Sequence, residues 1–308
     1  MPDVPIRSDV VAAIDVGGTR IKAALVAASF DVFARATVPT PKDIAADIGA
    51  VVQATVADLL VSAERQDVHV RLVGCGVVVP GLVDEARGVG LLSVNLGWRD
   101  LPVRDPVASH LGVPTVVGHD VRAGLLAETR LGAARGARHA LFVPVGTGIA
   151  GALMLDGAVI SADGWAGELG HVVIDPAGPP CPCGAAGCLE VIASASAMER
   201  AYAARAGRRV TAEEIAARAE AGEVDASAVW AEATSALAQA IVATVTITGV
   251  DLVLIGGGLA ESGEAFLAPL RAAVTRRMTF QRPPRLEKAA LGDRAGCLGA
   301  ACLAWDAL

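Results

Sequence analysis

Apolar and polar positions alternate along this chain with two periods, and the changes of period mark its elements. Val10–Ile14 is a short apolar run ending in Asp15; Gly17-Gly18-Thr19 follows, then a second apolar segment, Ile21–Ala28. Strand, glycine turn and strand predict a hairpin whose tip carries a carboxylate and exposed backbone amides. Phe30–Thr37 reads as a third strand. Ile44, Ile48, Val51, Val52, Val56, Leu59 and Leu60 recur at helical spacing, which predicts a helix over Ile44–Glu64. Val70–Val79 is a near-continuous run of β-formers, the pattern of a strand buried on both faces, and it stops at the turn signal Pro80-Gly81. Asn95-Leu96-Gly97-Trp98 reads as a polar and aromatic loop, Pro106–Leu111 as a short helix, Pro114–Val117 as a strand ending at His119-Asp120, and Val121–Leu131 as a helix.

From Ala140 the pattern begins again. Ala140–Val145 is an apolar strand, Gly146-Thr147-Gly148 a turn, and Ile149–Leu155 a second apolar segment before Asp156-Gly157. Ala13–Leu25 and Phe142–Leu153 superpose as strand–glycine–strand, which predicts a duplicated core with two hairpin loops. Helical patterns follow at Ser196–Arg205, Thr211–Ala221 and Ala226–Thr248, the last alanine-rich and open to a break. Asp251–Ile255 is a strand running into Gly256-Gly257-Gly258; Glu264–Thr275 and Gly296–Leu308 read as helices. Strands interleaved with helices place the chain in the α/β class.

Composition narrows the picture. At 308 residues there is room for two packed domains. A net charge of −7 without a basic cluster excludes a nucleic-acid or acidic-membrane partner. The uncharged run Ala140–Leu155 is broken by Pro144 and glycines and falls short of the ~20 residues a bilayer needs. Met1–Asp9 has neither the basic start nor the apolar core of a secretory leader. Six cysteines, three of them clustered, suit a reducing compartment, so the expectation is a cytoplasmic protein without disulfides.

The candidate chemistry centres on Gly164–Glu190. His171, Cys181, Cys183 and Cys188 are four soft or borderline ligands, and three thiolates with one imidazole form a closed tetrahedral zinc set. Buried free cysteines, packing as small hydrophobes, are the bland alternative. Gly184 and Gly187 fall where a chain wrapped round an ion needs positive φ. A metal there would be structural, fixing Glu168, His171 and Glu190 relative to one another, and with Asn95 these polar groups suit a polyol, whose hydroxyls donate and accept. One ring nitrogen of His171 would take the ion while the other faces ligand.

Gly146–Gly151 matches G-x-G-x-x-G, but a strand follows where the dinucleotide fold needs a helix, so that reading fails. The two glycine loops instead suit backbone nests for polyphosphate, with ordinary tight turns as the alternative. Asp15, Gly17, Gly18, Thr19 and Lys22 in the first copy and Gly146, Thr147 and Gly148 in the second are the candidate phosphate contacts, with Gly256, Gly257 and Gly258 toward adenosine. Asp15 would hold Mg²⁺. Asp120, where a strand meets a helix, fits both an N-cap and a general base.

These motifs, in this order, resemble the ROK family of sugar kinases within the actin/hexokinase-like ATPase superfamily: Asp15–Thr19, Pro80-Gly81, Asn95–Trp98, Gly146–Gly148, Ala166–His171, Cys181–Glu190 and Gly256–Gly258. The resemblance spans nearly the whole chain. It implies two actin-like (ribonuclease H-like) α/β domains with an interdomain cleft: a small one from 1–117 plus about 296–308, and a larger one, 118–295, carrying the zinc knuckle. It implies sugar contacts at Gly81, Asn95, His119, Asp120, Glu168, His171 and Glu190, a general base at Asp120, zinc on His171, Cys181, Cys183 and Cys188, and Mg²⁺ with ATP. The implied activity is phosphorylation of a hexose 6-hydroxyl, first of glucose. N-acetylmannosamine, N-acetylglucosamine or fructose are alternative acceptors, polyphosphate an alternative donor, and a weakly catalytic sugar sensor the alternative of another class. A homo-oligomer, dimer or tetramer, is the default. One departure stands out: the family's Asn-Asp pair is His119-Asp120 here, which bears on the choice of hexose and on the surroundings of the base.

Overall fold

A computed structural model describes residues 8–308, so the leader reading for Met1–Asp9 falls largely outside the described residues. The chain forms two compact units. The first runs to Ala127 and includes Ser161–Ala166 and Asp293–Leu308; the second comprises Glu128–Ile160 and Gly167–Gly292. The division at Ala127, beyond the 117 expected, follows from burial: Ala123 packs in a core of the first unit with Val78 and Ala300.

The first unit is built on a five-stranded sheet of order β3-β2-β1-β4-β8. Strands β1 (Ser8–Val16), β2 (Arg20–Ala27) and β3 (Val32–Pro39) form an antiparallel meander. Strands β4 (Val70–Val79) and β8 (Thr115–His119) add in parallel. Alternation along β1 sends Val10, Ala12, Ile14 and Val16 to one face, where α1 (Ile48–Glu64) supplies Val52, Val56 and Leu59. Val11 and Ala13 point the other way, onto Ala300, Ala301 and Ala304 of α9 (Ala295–Asp306). Glycines allow α9 to lie this close: a Cβ on Gly76 would come within 2.0 Å of the Ala300 carbonyl oxygen, and one on Gly299 within 2.2 Å of that of Ala123.

Several local expectations need correction. The periodic stretch from Ile44 is two pieces, a 3-10 turn over Ile44–Ala46 and then α1, because the Asp47 carboxylate accepts from Ala50 N and starts a new helix. The first four residues of β4 are not fully buried; only Gly74 onward is. The loop read over Asn95–Trp98 ends in a strand: β5 (Leu82–Asp84), β6 (Val89–Ser93) and β7 (Trp98–Pro102) form a small antiparallel sheet that buries Trp98. Helix α2 (Arg104–Leu111) leads back to β8, and α3 (Asp120–Leu131) starts directly at its end.

The second unit repeats the plan. Its sheet has the order β11-β10-β9-β12-β13, with β9 (Ala140–Pro144), β10 (Ala152–Leu155) and β11 (Ala158–Val159) antiparallel and β12 (Leu252–Gly256) and β13 (Arg285–Lys288) parallel to β9. After the cysteine-rich segment come α4 (Leu189–Ala193), α5 (Ala195–Ala206), α6 (Ala212–Glu220), α7 (Val224–Thr248) and α8 (Glu264–Arg277). Helix α7 is unbroken over 25 residues. By length and composition it is apolar enough to cross a membrane, but 56% of its apolar window is buried within the protein. Trp230, Leu237 and Ile241 pack there against Phe266 and Leu270, so it is the central core helix of this unit.

Candidate functional site

In the first unit the parallel strands deliver chemistry at their carboxyl ends, the edge where α/β sheets generally bind ligands. Register pairs Asp15 of β1 with Val78 of β4, and Val79 with His119 of β8. Asp15, the Pro80-Gly81 turn and His119-Asp120 therefore leave the sheet along one edge. The hairpin tip beyond Asp15 is held by Thr40, whose hydroxyl donates to the Gly17 carbonyl at 2.7 Å and whose amide donates to Thr19 at 3.0 Å. A Cβ on Gly18 would lie 3.6 Å from Asn95 Cβ, which brings Asn95 to this tip. Gly81 is at φ +94°, with the Leu92 carbonyl oxygen 2.2 Å from where a side chain would start.

Asp15 and Asp120 are both half-buried and electrostatically linked. Burial, and then the Asp120 charge, push Asp15 up to about 7, with Lys22 opposing. Burial pushes Asp120 up to about 6, against the Val121 N–H, Arg122 and Lys22. Asp120 Oδ1 accepts from Val121 N at 2.7 Å in the first turn of α3, a bond to the adjacent residue and not the N2 or N3 amide that an N-cap takes. Lys22 donates to both the carboxylate and the carbonyl of Asp293, just ahead of α9. A Cβ at position 296 in the first turn of α9 would be 2.7 Å from Asp15 Oδ2, so a larger residue there would have to displace that carboxylate.

His119 is buried, and its ring is tied into the helix start: Nδ1 accepts from Arg122 N at 3.3 Å and Nε2 lies 3.5 Å from Asp120 Oδ1. Glu85 Oε1 accepts from both His119 N (3.2 Å) and Arg122 Nε (3.0 Å), while Arg122 Nη1 donates to the Ala166 carbonyl. Glu85, Arg122, Asp293 and Gly296 are the site residues that sequence reasoning missed. The signal for Arg122 was a lone cation on the apolar face of α3; for the others, partners lie too far along the chain to be paired by spacing.

In the second unit β9 and β12 end side by side, with Pro144 paired to Gly256. Gly146-Thr147-Gly148 and Gly256-Gly257-Gly258 are thereby neighbours. Gly257 (φ +75°) has Val145 O 2.4 Å from its would-be Cβ, and Gly146 N donates to Gly148 O across the turn. The cysteine-rich segment gathers as expected: one ligand atom each from His171, Cys181, Cys183 and Cys188 lies within 4.8 Å of the others. The Cys183–Cys188 sulfur separation is 3.6 Å, as is Cys181 Sγ to His171 Nδ1. A tetrahedral zinc with sulfur at ~2.3 Å sets such edges at roughly 3.8 Å, so the donor set fits the ion. Three thiolates this close would repel strongly without a cation. Gly184 and Gly187 are at φ +98° and +67°, and a side chain on Gly187 would collide with the Asp175 carbonyl. His171 Nε2 turns away from the thiols toward Glu168 Oε2, 3.8 Å distant.

The glycine loops, the carboxylate pair and the cysteine–histidine cluster can be set against known proteins. The chain is 30% identical over 310 residues to a glucokinase of Halalkalibacterium halodurans, spanning 93% of this chain and 92% of that protein. It is 33% identical over 302 residues to an N-acetylmannosamine kinase of Salmonella typhi, spanning 95% and 97%. Its fold is similar to a ROK family glucokinase from Streptomyces griseus solved with glucose and AMPPNP, with TM-score 0.81 at 26% identity over 96% of this chain and 99% of the other. The ROK family profile matches residues 11–307, which take in both sheets and the cysteine-rich segment of the second unit. On that match and that likeness of fold, the chain belongs to the ROK family.

Proposed function

We propose that this protein transfers the γ-phosphoryl of ATP to the 6-hydroxyl of a hexose, glucose first among the acceptors. The observation that carries the reading is Asp120: a carboxylate at a helix start, raised to about 6, deprotonated at neutral pH yet basic enough to take a hydroxyl proton. In the reaction the acceptor oxygen bonds to the γ-phosphorus, the bond to the bridging oxygen of ADP breaks, and the hydroxyl proton passes to Asp120. Asp15 and Lys22 are the residues this reading assigns to phosphate and its Mg²⁺, and Asp15 is the one that would hold the ion. Bound Mg²⁺ supplies charge neutralisation on the transferring phosphoryl. Backbone groups of Gly17–Thr19 and Gly146–Gly148 receive phosphate oxygens, and Gly256–Gly258 allows the adenosine end to approach. His171, Cys181, Cys183 and Cys188 would hold a zinc whose role is to fix Glu168, His171 and Glu190, and these, with Gly81, Asn95 and His119, orient the polyol. The similarity to both a glucokinase and an N-acetylmannosamine kinase keeps the acceptor a matter for assay.

The test is ADP release across glucose, N-acetylmannosamine, N-acetylglucosamine and fructose, with polyphosphate as a second donor. Glucose with ATP is expected to give the highest kcat/KM. Asp120→Asn is expected to lower kcat by about 10²–10⁴-fold while leaving sugar affinity within a few-fold. Unchanged turnover in that variant removes Asp120 from the mechanism, and no ADP release with any sugar removes the kinase reading.

A further inference from the structure

The loop Gly146–Ile149 is held from outside by two groups, and both belong to the segment just after the last cysteine of the cluster. Ala195 N donates to the Gly146 carbonyl at 2.9 Å, and the Glu190 carboxylate accepts from Ile149 N, also at 2.9 Å. Glu190 lies in α4, whose first residue follows Cys188 directly. The fit is close on every side. A Cβ on Gly148 would come within 2.4 Å of Glu190 Oε2, and one on Gly170, beside ligand His171, within 2.1 Å of the Ile149 carbonyl oxygen. Gly148 is not at positive φ, so what demands glycine there is the carboxylate and not the backbone. Oε1 stands farther off, 3.9 Å from the same point.

We propose that Glu190 is a positioning residue for the phosphate loop: through the Ile149 amide it ties Gly146–Ile149 to the helix that leaves the cysteine–histidine cluster, so nucleotide affinity depends on a residue expected only to read sugar. The proposal rests on the reading that this loop receives nucleotide phosphate. Oε2 is committed to the loop and Oε1 remains for an acceptor hydroxyl, which makes one carboxylate the link between acceptor recognition and donor grip. A carboxylate accepting from a backbone N–H forms a charge-assisted bond, stronger than a neutral one. The Gln side chain keeps an acceptor oxygen at the same reach, whereas Ala leaves the Ile149 N–H without its partner.

Two measurements on the full chain test this. Amide hydrogen exchange across 146–149 reads the strut directly, and calorimetric titration with Mg·AMPPNP reads its consequence. Glu190→Ala is expected to speed Ile149 exchange and to raise the nucleotide Kd, each by about tenfold or more. Glu190→Gln is expected to keep the nucleotide Kd within about threefold of wild type, a rescue that a general loss of packing does not produce. Gly148→Ala, which displaces the carboxylate, should match Glu190→Ala, and the double variant should be no worse than either, since removing Glu190 relieves the clash. Wild-type exchange and wild-type nucleotide affinity in Glu190→Ala would overturn the proposal alone. Failure of the wild-type protein to bind Mg·AMPPNP would overturn the phosphate-loop reading and the proposal together.

Discussion

The two glycine hairpins share one scaffold and differ in what they carry. In both sheets an antiparallel meander precedes two parallel strands, in the same order. By ladder register, Asp15 corresponds to Pro144 and Lys22 to Ala150. The first hairpin thus has an acid paired across the ladder to a lysine. The second has no charge at those positions, and its loop is gripped from outside by Glu190. The first loop is held instead by an uncharged side chain, that of Thr40. The duplicated frame therefore carries an acid and a lysine side by side in one copy, and in the other an uncharged turn whose Ile149 amide donates to a neighbouring carboxylate.

Breaking the asymmetry from the acidic side has the largest expected effect. Asp15→Asn should lower turnover by at least about 10²-fold, measured at saturating sugar and ATP. The same variant should be more stable than wild type at pH 8 in metal-free buffer. The sign follows from Asp15 being raised to about 7 when folded, from 3.8: the native state keeps a proton that the unfolded chain has lost, so wild-type stability falls as pH rises from about 4 through 7. Asn removes that penalty, and melting curves should show a gain of roughly 2–5 °C at pH 8 and little at pH 4. Breaking the other side is gentler. Cys183→Ser should loosen the cluster, raising the sugar KM by about 10–100-fold and lowering the bound-metal content of the purified protein, with a smaller change in kcat. Smallest is the pH response itself: kcat/KM should fall below about pH 6 as Asp120 gains its proton, reaching roughly a tenth at pH 5. A flat profile between pH 5 and 8 would separate Asp120 from proton transfer.

Both hairpins and β4 were legible as short apolar runs of β-formers bounded by turn residues, and α3, α7 and α9 as longer apolar or alanine-rich stretches free of such breaks. The cysteine–histidine cluster was legible because its ligands are local in sequence. The small sheet was not: β5 has three residues, and its pairing with β6 carries a register shift, so no alternation survives. The edge strand β13 reads Arg-Leu-Glu-Lys and shows one buried position. At the site, Asp120 stood out as a carboxylate between strand and helix, but Glu85 meets Arg122 from 37 residues away and Asp293 meets Lys22 from 271 away. Such pairs are decided by topology, which periodicity does not encode.

The close seating of α9 has an implication for biogenesis. One face of the first sheet, Val11, Ala13, Ala24, Val26 and Val78, packs against Ala123 of α3 and against Cys297, Ala300, Ala301 and Ala304 of α9, a helix made long after the strands themselves. During synthesis the second unit, continuous apart from Ser161–Ala166, can consolidate while that earlier apolar surface still waits bare. The ribosome therefore finishes the older half last, and a nascent chain stalled before Ala295 would display a sticky sheet to chaperones and to its neighbours.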